Sequence, residues 1–418
     1  MPAKTKPQPL VARQARQLVL EGLEDSRIVF VMGARQVGKS TLTREIAANE
    51  HPATVLSFDE KGPREAASED PTGFVAGLSH PVLIDEVQRV PDVLLAIKDD
   101  VDADTSPGRY LLTGSANVLA SRKVKDALTG RIDVVRLWPF SQSELEGGAS
   151  NLVDMLFSGK VPQITGAVLG RDAFADRVVA GGYRVARARA KGRRRDRWFA
   201  NYVDTTLDRD LRDIAEAYKL EEMPQLLRLL AASAANIVNY RELASKLELE
   251  HKTVKRYIRL LETIFLVRTL RAWRPGLVGR ETAKPKAYIV DAGLLAHLIG
   301  ADATRVAKDD QVTGKILENF VAMELLRLSE WSELTPRLFH YAYQRGEIDV
   351  VMEARSGDLV GVEVKAAATV GSSDWRHLAR LRDSKSQRFK AGVMLYTGEQ
   401  TVPLGDRLWA LPISALWA

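Results

Sequence analysis

Cysteine is absent from all 418 residues. That excludes disulfides, thiolate zinc sites and cysteine nucleophiles. Long apolar runs are missing too, since no stretch approaches the roughly 20 residues that a membrane-spanning helix needs. The N-terminal MPAKTKPQPL carries positive charge but no apolar block behind it, so no secretory signal is visible. A cytoplasmic chain without a membrane partner is the expectation. Internal repeats are lacking, and the one biased tract is an arginine strip. What remains is 45% apolar and 27% charged, the composition of an ordinary folded protein. The length predicts two or three domains rather than a single core.

The net charge of +6 is modest, but its distribution is uneven. Residues 184–197, RVARARAKGRRRDR, hold eight basic side chains and one acid. Such a strip, with Arg193, Arg194 and Arg195 at its centre, is either a solvated face or a surface that neutralises phosphates.

Residues 27–32, RIVFVM, read as a buried strand. They run straight into Gly33-Ala34-Arg35-Gln36-Val37-Gly38-Lys39-Ser40-Thr41 and a helix-forming segment. This is G-x-x-x-x-G-K-S in the strand–loop–helix context that a phosphate-binding loop requires. Its glycines let backbone amides turn inward, and the helix N-terminus adds partial positive charge. Lys39 is the candidate for the outer phosphates of ATP and Ser40 for Mg²⁺. A second apolar strand ends in Asp85-Glu86. Asp85 is the candidate to complete the magnesium site and Glu86 to deprotonate the attacking water. The third strand, Tyr110 to Ser115, offers Thr113, Ser115 and nearby Asn117 as polar tip residues, with Ser115 preferred. In Leu128-Thr-Gly-Arg131 a glycine presents an arginine. Arg131 either stabilises transferring charge, in its own subunit or a neighbour's, or forms a structural salt bridge.

The segments GARQVGKSTL, VLIDEVQRVP, YLLTGSAN and LTGR, in this order, resemble the bacterial and archaeal AAA-type ATPases that carry a C-terminal domain of unknown function. GGY at 181–183 and TLDRDL, with Thr206 and Asp210, match as well, and the resemblance covers nearly the whole chain. The pattern departs at Arg184, where the family carries proline.

Residues 222–236 read as a helix, followed by a short one from Asn239 and a third from His251. Leu243, Ala244, Leu247, Val254, Ile258 and Leu261 fall at helical spacing and form a small core. Lys252, Lys255, Arg256 and Arg259 are left outward. That is the pattern of a helix-turn-helix with a basic recognition helix, and the strands VRTLRAW and KAYIV supply a wing. Such modules dock either DNA or proteins.

Farther on, Glu318 stands on a helix, Glu347 and Asp349 on one strand, and Glu363 and Lys365 on the next. Residues two apart share a strand face. Glu318, Asp349 and Glu363 are therefore candidates to hold a hard divalent cation, with Lys365 to orient water. This arrangement resembles the PD-(D/E)xK nuclease superfamily, a fold that also serves as a plain scaffold.

The expected fold is α/β in four parts. Residues 1–145 form a P-loop core, 146–222 a helical lid, 223–290 a winged helix and 291–418 a nuclease-like domain. The leading expectation is an ATP-driven switch or motor on DNA that assembles as a homo-oligomer. The alternatives are a nucleotide-dependent switch that binds a protein partner and an ATP-licensed, metal-dependent nuclease.

Overall fold

The computed structural model describes residues 11–115, 122–148, 150–166, 169–211, 221–274, 276–343 and 346–418. Among these residues the strands assemble into two sheets. The first comprises β1 (Ile28–Gly33), β2 (Thr54–Ser57), β3 (Val82–Asp85), β4 (Tyr110–Gly114) and β5 (Ile132–Leu137). Their order is β2-β3-β4-β1-β5, and every pairing is parallel. All residues of β1, β3 and β4 are buried. Helices Ala15–Asp25 and Lys39–Asn49 pack against these strands, and a parallel sheet covered in this way reads as continuous apolar runs.

Insertion of β4 between β1 and β3 positions the site. The loop after β1 and the carboxylates after β3 are not on neighbouring strands; they flank the tip of β4 from opposite sides. Any side chain at that tip stands between them.

The second sheet runs β12-β13-β11-β10-β9-β8-β6-β7. Its strands are β6 (Val267–Ala272), β7 (Lys286–Ile289), β8 (Arg337–Tyr343), β9 (Gly346–Glu353), β10 (Leu359–Lys365), β11 (Phe389–Tyr396), β12 (Val402–Gly405) and β13 (Leu408–Pro412). The two strands expected as a separate wing, β6 and β7, extend this sheet, because Arg271 and Ala272 pair in parallel with Phe339 and His340 of β8. The sheet therefore crosses the boundary expected at residue 290. Helix Asp310–Glu330 lies against one face of it, and helix Arg376–Ser384 against Leu359, Phe389 and Leu408 on the other.

The stretch expected as a lid divides by its contacts. Its first part belongs with the C-terminal sheet: helix Leu152–Phe157 packs on β10 and β11. The Ile164 amide also donates to Thr401 Oγ1 at 3.1 Å. Its later part, helix Arg193–Asp210, reaches the loop after β1. The GGY turn lies at the junction. Gly182 N donates to Asp291 Oδ2 at 2.6 Å, while its carbonyl accepts from Phe140 N at 3.0 Å. One buried apolar cluster runs through all these parts. No helix among the described residues is long and apolar enough to cross a membrane.

Candidate active site

The loop Gly33 to Ser40 joins β1 to helix Lys39–Asn49. Gly33 is required by close approach, since a Cβ there would stand 2.2 Å from the carbonyl oxygen of Leu137 on β5. Gly38 is required by conformation: its φ of 96° lies in the left-handed region that L side chains rarely adopt. Lys39 is buried, and its Nζ donates to the Gly33 and Ala34 carbonyls at 3.0 Å each. Burial lowers its pKa, and the Glu86, Asp210 and Asp85 carboxylates oppose that shift.

Asp85, at the end of β3, is buried and meets three donors. Ser40 Oγ lies 2.8 Å from Asp85 Oδ1, Thr113 Oγ1 donates to the same oxygen, and Arg44 Nη2 lies 3.3 Å from Oδ2. Glu86 follows in the left-handed region at φ 61°, a conformation that costs a non-glycine residue on the order of 1–3 kcal/mol. The turn is held by its amide, which donates to Thr113 Oγ1 at 3.1 Å. Its carboxylate accepts from Gln88 Nε2, and Gln88 Oε1 accepts from Ser115 N at 3.3 Å.

Of the three tip residues, Thr113 makes the direct contacts, and Ser115 is connected through its amide to Gln88. Asn117 lies outside the described residues. Thr113 and Ser115 share a strand face, so only the register between β3 and β4, Ile84 opposite Leu112, sets Thr113 beside Asp85.

One supporting charged residue escaped the sequence reading. Arg13 is buried and donates to Val37 O at 3.3 Å and Trp138 O at 2.6 Å, with its guanidinium 4.0 Å over the Phe140 ring. Arg35 Nε pairs with Asp210 Oδ1 at 2.7 Å, which ties the loop to the end of helix Arg193–Asp210. A mainly apolar cavity of about 250 Å³ adjoins the loop between Val11, Val37, Leu42, Phe140 and Val185, with Thr41 and Gln36 at its rim. Arg184, the residue that departs from the family pattern, also lines it.

Arg131 lies elsewhere. β5 begins at Ile132 opposite Ile28, so Arg131 stands at the end of the sheet away from Gly33, about 16 Å along the strand. Its guanidinium forms a forked pair with Asp102, with Nη2 2.9 Å from Oδ2. That position is incompatible with action in its own subunit.

Among the expected DNA contacts, Lys252, Lys255, Arg256 and Arg259 are all exposed on helix His251–Thr263, whose Val254, Tyr257, Ile258 and Leu261 are buried. Arg193 and Arg194 are exposed. Arg195 is a correction: it is buried, and its Nε donates to Ala186 O at 3.2 Å. It shares a helical stripe with Phe199, Tyr202, Thr206 and Asp210, a spacing visible in the sequence.

The expected nuclease-like metal set is a second correction. Asp349 and Glu363 do lie side by side, since β9 and β10 pair antiparallel up to Val350–Val362 and Val364 N donates to Asp349 Oδ2 at 2.9 Å. Glu318 stands nearby. Yet Lys286 Nζ sits 2.7 Å from Glu318 and 2.6 Å from Glu347. Lys365 pairs with Asp374 at 2.6 Å. Among the described residues no group of three or more acidic or histidine side chains is arranged to hold a metal ion. Burial pushes Glu318 and Glu363 up to about 8, with the Asp349 carboxylate adding to each shift.

A phosphate-binding loop, an Asp-Glu strand end and a polar strand tip stand together on this sheet, the parts of a candidate nucleotide site. Residues 25–146 match the AAA domain family. Residues 171–305 match Domain of unknown function (DUF8612), and residues 313–416 match Domain of unknown function (DUF4143). The uncharacterized proteins Rv2008c of Mycobacterium tuberculosis and Mb2031c of Mycobacterium bovis are each 29% identical over 403 residues, covering 96% of this chain and 83% of theirs. Among solved structures, the Walker-type ATPase PABY2304 of Pyrococcus abyssi aligns with TM-score 0.41 and 16% identity, covering 71% of this chain and 97% of that one. A signal-transduction ATPase of Pyrococcus horikoshii with a tetratricopeptide repeat sensor aligns with TM-score 0.26 and 12% identity, covering 79% and 49%. At these scores neither likeness bears on function.

Proposed function

We propose that this chain hydrolyses ATP with Mg²⁺ and uses the nucleotide state to change its hold on DNA. The observation that carries the reading is the convergence of Ser40 and Thr113 on Asp85, with Glu86 locked in a strained turn beside them. Ser40 Oγ and the Asp85 carboxylate are hard oxygen donors next to the phosphate loop, the donor chemistry that Mg²⁺ takes. When bound there, Mg²⁺ neutralises charge on the phosphate oxygens.

The protein supplies the rest. Loop amides and the helix N-terminus cradle the phosphates, and Lys39 exchanges its loop carbonyls for the outer phosphate oxygens. The apolar cavity beside Val37 and Leu42 accepts the base. Glu86 takes the proton of the attacking water as the terminal phosphoanhydride bond breaks, and Gln88 holds its carboxylate in place. Arg35, paired with Asp210, conveys the state of the loop to the lid helix. Replacing Glu86 by Gln removes the base and keeps the shape, so kcat should fall about a hundredfold or more while ATP still binds. A variant as fast as wild type would take Glu86 out of this role.

DNA as the acidic partner is supported by four exposed basic side chains on one face of helix His251–Thr263. A nucleotide-dependent switch that grips a protein is the second reading. The same exposed helix face would serve that reading too, since winged-helix modules also dock proteins.

A further inference from the structure

Lys286 opens β7 at the edge of the second sheet, yet its side chain points inward and is 3% exposed. Its ammonium lies among three carboxylates drawn from two elements. Glu318 on helix Asp310–Glu330 is 2.7 Å away, and on β9 Glu347 is at 2.6 Å and Asp349 at 3.7 Å. Glu363 of β10 lies beyond Asp349, with one oxygen buried and without a hydrogen-bond partner. An ammonium carries three donors and one positive charge, so it answers both needs of such a cluster: hydrogen bonds to the oxygens and partial neutralisation of their charge.

The resemblance to the nuclease superfamily implies a divalent ion among Glu318, Asp349 and Glu363. The residues present do not fit one. A hard cation needs ligand oxygens at roughly 2.0–2.6 Å, and one oxygen each of Glu318 and Glu347 is already turned onto Nζ. A second cation in the same cage would stand within a few ångströms of the buried ammonium and be repelled by it. Lys365, the lysine that the resemblance assigns to water activation, is engaged by Asp374.

We infer that Lys286 is the resident cation of this cluster. A fixed ammonium delivered by β7 occupies the place that the nuclease fold gives to a metal ion, and it fastens β7 to the long helix and to β9. The C-terminal sheet is thereby completed without metal. Removing the ammonium, with the carboxylates left in place, converts the cluster into a divalent-cation site.

The experiment is an Mn²⁺ titration of nucleotide-free, full-length protein, read by electron paramagnetic resonance. It is done in the Asp85→Asn background so that the ATP site contributes nothing. With Lys286 intact, no site tighter than about 1 mM is expected, the weak end of the range for oxygen cages. Lys286→Ala should gain one site at least about tenfold tighter, and adding Asp349→Asn should abolish it. Mn²⁺ bound tightly by the Lys286-containing protein, and lost in Asp349→Asn, would overturn the inference. A folded Lys286→Ala protein that gains no site would overturn it equally. Should the alanine variant not fold, Lys286→Met keeps the aliphatic stem and is read by the same criterion, and the titration with Lys286 intact decides on its own.

Discussion

Replacing Thr113 by Val tests the geometry of the strand tip, because it removes one hydroxyl and keeps the shape. That hydroxyl is fully buried, donates to Asp85 and accepts the Glu86 amide. Two losses follow from the one change. Asp85 keeps Ser40 and Arg44 but loses a hydrogen bond to a charged group, worth ~1.5–3 kcal/mol. The Glu86 amide loses its acceptor, and the left-handed turn loses a restraint that offsets a strain of ~1–3 kcal/mol. Local relaxation recovers part of each, so a loss of ~1.5–3 kcal/mol in transition-state stabilisation is expected, roughly 10–150-fold in kcat. ATP affinity, set by the loop and the apolar cavity, should stay within about threefold. Steady-state phosphate release measures the first, and titration with a fluorescent ATP analogue measures the second. Ser115→Ala is the companion: it leaves the backbone amide's hydrogen bond to Gln88 in place, so it should cost less than Thr113→Val, under about tenfold. A Thr113→Val enzyme at wild-type speed beside a slow Ser115→Ala enzyme would refute the reasoning.

Three further outcomes are expected. If helix His251–Thr263 grips about six phosphates, duplex affinity should fall roughly a thousandfold between 50 and 200 mM salt. A flat salt response would point to a protein partner. If Arg131 completes a neighbouring subunit's site, the ATPase rate per subunit should drop on a hundredfold dilution, and a constant rate would confine Arg131 to its pair with Asp102. Glu363 titrates near 8 when folded, against ~4.3 in an unfolded chain. Between those values the folded state holds a proton that the unfolded chain has released, so this group weakens the fold as pH rises. Glu363→Gln should therefore gain on wild type by about 3–4 kcal/mol in urea unfolding between pH 5 and 8. A constant gap would refute the shift.

The geometry of the candidate site was legible wherever it is set locally. Gly33 to Ser40 and Asp85-Glu86 are fixed by short spacings and by the strands that precede them, and β1, β3 and β4 fall within a residue or two of the expected runs. What depends on register or on distant packing was not. Thr113 and Ser115 lie on one face, and only the pairing of β4 with β3 separates them. Lys286, in KPKAYIV, reads as a surface charge at a strand's start. Its burial follows from a helix more than twenty residues later and from β9 beyond that. Arg195 is the opposite case, because its stripe with Phe199 and Tyr202 was readable and the run of neighbouring arginines obscured it.

The pairing of β6 with β8 has a mechanical consequence. Strands hydrogen-bonded into a common sheet cannot swing separately, so the basic helix His251–Thr263, joined to β6 by a turn of three residues, travels with the whole C-terminal half. If the proposed nucleotide-dependent movement of the phosphate loop reaches that helix, it must carry the C-terminal sheet along with it.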